Sequence, residues 1–188
     1  MPKPGWYVIQ VWSGYELATC DIIKRTCEEI DRLNLADEPL VEEVFYPRYT
    51  ARTKFHGEWK EVERALLPGY VIASTSRPED LSMVLRSIPK LTKMLALGET
   101  FVPLRKEERL WIEESTKQGN RVVPMSLAVG KGDSFTVTEG PLKGKEGLVI
   151  RVNRHKCIAI VELHVGQMTI RTKVGMAIEP EDNKKRNG

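Results

Sequence analysis

The chain has 188 residues, 41% apolar and 29% charged, a balance that allows a buried core and excludes compositional disorder. No apolar run approaches the roughly 18 residues of a membrane-spanning helix, and the start at Met1 lacks a signal-peptide core, so a cytoplasmic protein that meets no membrane is expected. The net charge of +3 is unevenly spread: residues 1–128 hold 18 Lys/Arg against 19 Asp/Glu, residues 129–180 hold 8 against 5, and residues 181–188 hold 3 against 2. The positive excess lies in the last third and points there to a polyanionic partner.

Trp6 to Trp12 is aromatic and β-branched and predicts a strand. Ser13-Gly14-Tyr15-Glu16 reads as a capping box that opens a helix ending near Asn34. Ala18, Ile22, Thr26, Ile30 and Leu33, flanked by Ile23 and Cys27, mark its apolar face. Glu42–Pro47 predicts a second strand. A polar stretch, Tyr49 to Glu58 with a turn at His56-Gly57, separates it from a third. Leu66-Leu67-Pro68-Gly69-Tyr70 is a turn entering another strand. A second helix starts at Ser76-Arg77-Pro78-Glu79, with Leu81, Val84, Leu85 and Ile88 at helical spacing. A short strand near Met94 and a third helix over Lys106 to Ser115 complete this part. Strands and helices interleave without regular crossovers, which predicts an α+β sandwich.

Thr116 to Ser126 has neither period and reads as a linker. After it, Phe135–Thr138, Gly147–Val152, Cys157–Leu163 and Met168–Thr172 are short β runs between turns, the texture of a small five-stranded barrel. The expected division is therefore a module at 1–117, a linker at 118–127, a barrel at 128–180 and a flexible tail at 181–188.

In the first strand both pleat faces are apolar, with Trp6, Val8, Gln10 and Trp12 on one and Tyr7, Ile9 and Val11 on the other. Helices cover one face of such a sheet. Leu66 and Leu67 repeat the conflict, because extended neighbours point oppositely. Either an uncovered apolar face serves a protein partner, or another element of the chain covers it.

Gly140-Pro141-Leu142-Lys143-Gly144-Lys145-Glu146-Gly147 is a glycine-rich barrel corner. It lacks the ending of a phosphate-binding loop. Lys143 and Lys145 are not required by the turn. Arg151, Arg154, His155 and Lys156 cluster in the next loop, and Arg171 and Lys173 share one face of a strand. Brought together, these residues make a patch that contacts nucleic-acid phosphates, with Arg151 and Arg154 able to read guanine edges. Left apart, they are a solvated face.

The chain carries no convergent set of catalytic groups in its sequence. Glu28-Glu29 and Glu113-Glu114 diverge on helices. His155 and Cys157 share a strand face in this reading but have no third orienting group. Cys20, Cys27 and Cys157 match no zinc spacing, so neither an enzyme nor a metal or other cofactor is expected.

Taken together, Trp6-Tyr7-Val8-Ile9-Gln10, Ser13-Gly14-Tyr15-Glu16, Leu67-Pro68-Gly69-Tyr70-Val71, Arg86-Ser87-Ile88-Pro89 and Gly132-Asp133-Ser134-Phe135 through Gly147 resemble the NusG family of transcription elongation factors. The resemblance implies an NGN domain (an antiparallel sheet flanked by helices) followed by a KOW domain, an SH3-like barrel. It implies a monomer whose NGN domain docks on the β′ clamp helices of RNA polymerase through Trp6, Gln10, Trp12, Leu66, Leu67, Pro68 and Tyr70. Leu81, Ser82 and Met83 would meet the β side of the polymerase. Two departures are informative. Leu66-Leu67 replace the usual Phe-Phe. Val165-Gly166-Gln167 replaces Phe-Gly-Arg, which leaves contact with a ribosomal protein or with Rho unsupported. With its basic loop at 154–156, the chain is most similar to the LoaP branch of specialised antiterminators. That likeness implies a nascent RNA hairpin held by the KOW domain at Lys143, Lys145, Arg151, Arg154, His155, Lys156, Arg171 and Lys173. A general elongation factor without RNA specificity and a ribosome-associated KOW protein are the alternatives.

Overall fold

The structure, a computed structural model, describes residues 3–34, 38–88, 91–94, 96–97, 100–131 and 134–180. Pro89, Gly132, Asp133 and the tail 181–188 lie outside the described residues. In chain order the elements are β1 (Gly5–Val11), α1 (Glu16–Asn34), β2 (Glu43–Phe45), β3 (Arg48–Phe55), β4 (Glu58–Ala65), β5 (Tyr70–Thr75), α2 (Pro78–Leu85), β6 (Leu91–Met94), β7 (Ala96–Leu97), β8 (Thr100–Phe101), α3 (Lys106–Ser115), β9 (Val122–Val123), β10 (Ser126–Lys131), β11 (Ser134–Glu139), β12 (Val149–Asn153), β13 (Ile158–Val165) and β14 (Met168–Glu179). The architecture is α+β, and its two compact units interleave along the chain: 1–47 with 67–109, and 48–66 with 110–188.

The first unit is built on the sheet β2-β5-β1-β6, with β1 antiparallel to both β5 and β6. One face carries Tyr7, Ile9 and Val11, which pack with Cys20, Ile23 and Cys27 of α1 and with Leu81 and Leu85 of α2. The buried stripe of α1 therefore runs through Thr19, Cys20, Ile23 and Cys27, and the predicted face is corrected by one position. Ala18 is exposed, and Ile22 and Leu33 remain 45% and 82% accessible. Ile22 and Ile23 fit the periodicity equally well, and the cysteines decided the side. The other face of β1 is closed at its start, where Trp6 meets the ring of Phe45 edge-on at 4.9 Å and lies 5.9 Å from the Arg109 guanidinium. Trp6 and Val8 are buried, while Gln10 and the following Trp12 are open.

Burial has a chemical signature in this unit. It pushes the Cys20 and Cys27 thiols up to about 12 from an ordinary 9.0 and raises the Tyr7 hydroxyl as well, with the Glu79 charge adding a smaller push. Below pH 9 both thiols are protonated whether the chain is folded or not, so their contribution is intact. Between pH 9 and 12 only the unfolded chain ionises them, so stability falls across that window. At pH 8, iodoacetamide is expected to label Cys157 in the native protein and Cys20 and Cys27 only in denaturant. The denaturation midpoint is expected to fall above pH 9, and to fall less in Cys20→Ala/Cys27→Ala. Rapid native labelling of Cys27 would contradict this.

The second unit joins a hairpin to a curled five-stranded sheet. Tyr49 to Glu58, expected as a polar break, is largely strand. β3 pairs antiparallel with β4 from Arg48↔Ala65 to Phe55↔Glu58. His56 and Gly57 take φ of +49° and +88°, the geometry of a two-residue type I′ turn that matches strand twist. β3 was hidden in the sequence because only Tyr49 and Ala51 of it are buried and its outer part, with Arg52, Lys54 and Phe55, is exposed. The stretch expected to be irregular contains β9, which adds parallel to β3, and the first residues of β10.

The five-stranded sheet has the order β11-β10-β14-β13-β12 and the curl of an SH3-like barrel. Ala159, Val161, Leu163 and Val165 of β13 point inward, with Val174 and Met176 of β14 also buried. Gly175 lets β14 approach β3 closely: a Cβ there would lie 2.2 Å from the Thr50 carbonyl oxygen.

Candidate functional site

In the first unit a corner forms where the end of β1 meets the start of β5. Gln10 and Tyr70 are cross-strand partners. The Val11 amide donates to the Gly69 carbonyl at 2.8 Å, and Gly69 takes φ +84° in the turn. The carboxylate of Glu16, 6% exposed, fixes this corner. One oxygen accepts from the Gly69 amide at 2.7 Å and the other from the Gly14 amide at 2.8 Å. Glu16 is thus not the distal member of a capping box. It is the first residue of α1, and it clamps two loops together.

Trp12 and Tyr15, 54% and 49% accessible, meet edge-on at 6.3 Å beside that clamp. Pro68 is exposed and Tyr70 half-buried. Of the residues assigned to polymerase, this corner brings together Gln10, Trp12, Pro68 and Tyr70. Trp6, Leu66, Leu67 and Leu81 are buried. Leu66 and Leu67 lie in a bend, not on a strand. Leu66 belongs to the second unit, where its carbonyl accepts from Thr172 Oγ1 at 2.5 Å, and at Leu67 the chain returns to the first. Leu81, Ser82 and Met83 are on α2, which packs on α1 and β6, and of these Met83 is open at 61%.

In the second unit the basic residues fall into three groups. Arg151, Asn153, Arg154 and His155 line a groove of about 790 Å³ whose apolar wall includes Phe135 and Ile178. The loop is held by local contacts. Asn153 Oδ1 accepts from the Lys156 amide at 3.0 Å, the Arg154 guanidinium donates to the Gly130 carbonyl at 3.3 Å, and Cys157 takes φ +50°. Lys173 lies across from Ile160, which in turn pairs with Arg151, so the two cations stand in one row of the outer sheet face. Arg171, one step along, is bound by Glu162 at 3.1 Å.

Lys143 and Lys145 line a different pocket of about 350 Å³, with Trp111 and Glu114. Lys145 is held by Glu114 at 2.8 Å, and Trp111 Nε1 donates to the Pro141 carbonyl at 3.0 Å. Lys143 is exposed. Glu114 and Glu162 are the residues that sequence reasoning missed: Glu114 lies 31 positions from Lys145, and Glu162 faces Arg171 across the β13–β14 hairpin, a pairing that needs the exact register.

His155 and Cys157 lie in a turn, which removes the shared strand face that their spacing had suggested. No group of three metal-ligating side chains occurs among the described residues, and no helix among them is long and apolar enough to cross a membrane.

Comparison with known proteins places this geometry. The family model described as "Transcription termination factor nusG" matches residues 4–113, and the KOW motif matches residues 131–164. A transcription termination/antitermination protein NusG of Lactococcus lactis is 28% identical over 160 residues, spanning 85% of this chain and 84% of that protein. Its Campylobacter jejuni counterpart is 29% identical over 150 residues, spanning 79% and 81%. Among solved structures, one titled "Domain interaction in Thermotoga maritima NusG" covers 93% of this chain and 94% of its own at a TM-score of 0.58 and 18% identity, a likeness of fold. With a family model covering more than half its length, an NGN-type sheet and a KOW barrel in sequence, the chain belongs to the NusG family of transcription termination/antitermination factors.

Proposed function

We propose that this chain is a processive antiterminator of the LoaP type, which holds RNA polymerase with its NGN domain (1–117) and a nascent leader RNA hairpin with its KOW domain (128–180). Members of the family are transcription factors and not enzymes, so the chemistry asked of the residues is recognition. The protein would act as a cytoplasmic monomer without a cofactor.

The groove of Arg151, Asn153, Arg154 and His155 is the observation that supports this reading most. Guanidinium groups beside an amide and an imidazole, backed by an aromatic wall, suit guanine edges and phosphates. Lys173 and Lys156 extend the positive field, and Lys143 adds a separate contact. Lys145 and Arg171 arrive neutralised by Glu114 and Glu162, so their share of RNA binding depends on exchanging partners. On the polymerase side, the Gln10, Trp12, Pro68 and Tyr70 corner offers a rigid aromatic edge for the β′ clamp helices. Met83 offers a point for the β side.

The deciding experiment is transcription through a terminator, with the template encoding either the leader hairpin or a scrambled one. Read-through is expected to rise only with the hairpin. Arg151→Gln/Arg154→Gln is expected to weaken hairpin affinity about ten- to a hundredfold and abolish that dependence. Trp12→Asp should abolish read-through while leaving RNA binding intact. Equal read-through on the scrambled template would leave a general elongation factor.

A further inference from the structure

We propose that the tip of the β3–β4 hairpin is a stacking platform for single-stranded nucleic acid, separate from the Arg151–Arg154 groove and independent of the leader-hairpin reading. Phe55 and Trp59 are 56% and 49% accessible, and the β4 residues around Trp59 are exposed, so the rings contribute little to a core. Each ring is paired with an ammonium group. Lys54 Nζ lies 5.8 Å from the Trp59 ring and Lys60 Nζ lies 5.1 Å from the Phe55 ring.

The register separates the two pairs. Lys54 is directly opposite Trp59 on one face of the ribbon, while Phe55 and Lys60 share the other. The tip thus presents an aromatic surface with its own cation on each side, and the exposed Glu58, directly opposite Phe55, shares the second face with Lys60. His56, in the turn, meets the Phe55 ring edge-on at 4.3 Å and widens the second surface.

Charge complementarity selects the occupant. Lower on the hairpin the arginines are spoken for: Arg48 is bridged to Glu63, and Arg52 to Glu61 at 3.4 Å. At the tip neither Lys54 nor Lys60 has a carboxylate within salt-bridge distance among the described residues. An apolar protein partner would find no aliphatic surface there, because the neighbours of the rings are Lys, Thr and Glu. A duplex hides its base faces in its own stack. A single strand offers bases for the rings and phosphates for the ammonium groups, and stacking of this kind is tolerant of sequence.

The test is fluorescence anisotropy of the full chain with labelled twelve-nucleotide oligo-uridine, oligo-thymidine and a duplex of the same length. The single strands are expected to bind more tightly than the duplex, and whichever of RNA and DNA binds better identifies the strand. Phe55→Leu/Trp59→Leu keeps apolar bulk across the hairpin and removes the ring faces, and is expected to lose at least about tenfold in single-strand affinity. Lys54→Gln/Lys60→Gln should shallow the salt dependence by about 0.7 per lysine. In an Arg151→Gln/Arg154→Gln background, which removes the groove's own contribution, the leucine substitutions are expected to cost the same fold in oligo-uridine affinity. Undiminished affinity in the leucine variant, a preference for the duplex, or no binding of either single strand at 50 mM salt would overturn the proposal.

Discussion

Replacing Glu16 with alanine is expected to cost about 3 kcal/mol, because two backbone amides that donate to its side chain would lose their acceptor at once. The Gly69 amide is buried, so losing its acceptor leaves a buried donor unsatisfied. For a unit of roughly 90 residues this corresponds to a fall in melting temperature of more than about 10 °C. Glu16→Gln keeps one good acceptor and should lose less than half as much. The loss should also be local. Glu16 ties Gly14 to Gly69, so its removal frees the loops that carry Trp12, Tyr15, Pro68 and Tyr70. Polymerase capture by the alanine variant is therefore expected to weaken even at temperatures where the variant remains folded. Melting within about 2 °C of the wild type would show that the carboxylate is not the clamp described.

The second large effect is expected at Gly175. An added Cβ would lie 2.2 Å from the Thr50 carbonyl oxygen and 2.7 Å from Met125 Cγ. The methionine side chain can rotate away, whereas the carbonyl belongs to the backbone of β3 and cannot. Gly175→Ala is expected to destabilise by about 3 kcal/mol, at the upper end for an overpacked site, and to lower amide exchange protection along β3. Gly147 has no atom near the Cβ position, so Gly147→Ala is the control and should stay within about 0.5 kcal/mol of wild type. Equal stabilities for the two variants would mean that β14 and β3 are not in close contact.

Local signals were read well where one principle dominated. α3 spans Lys106–Ser115 as its pattern predicts, the Pro-Gly turn at 68–69 enters β5, and His56-Gly57 is a turn. The strands of the barrel were legible from alternation, because β13 has one face inward and one outward. Reading failed where burial does not follow period. The outer half of the β3–β4 hairpin is exposed and only Tyr49 and Ala51 of β3 are buried, so the apolar rhythm of β3 is too short to mark a strand. On α1, adjacent isoleucines offered two faces of nearly equal weight.

Leu66 and Leu67 show the limit of pattern reasoning most clearly. Two large apolar neighbours cannot enter one core from an extended chain, and an exposed face followed from that premise. In the structure both are fully buried, because the chain bends there and each residue belongs to a different compact unit. The basic residues of the last third behave similarly. Composition marked them as a group, but only the register put Arg151 in line with Lys173 and turned Arg171 toward Glu162.

By itself, then, the sequence determined the family, the order of the two domains, the turns and the surplus of positive charge near the end. Each of these is a local property, decided by glycine and proline geometry, capping residues, alternation or a count of charges. Tertiary structure decided which cations are already neutralised, which aromatic rings stay open, and which carboxylate clamps two loops. Those outcomes depend on pairs of residues separated by up to 53 positions, as in Glu16 and Gly69, and free energies of pairing exist only once the chain has brought the partners within hydrogen-bond reach.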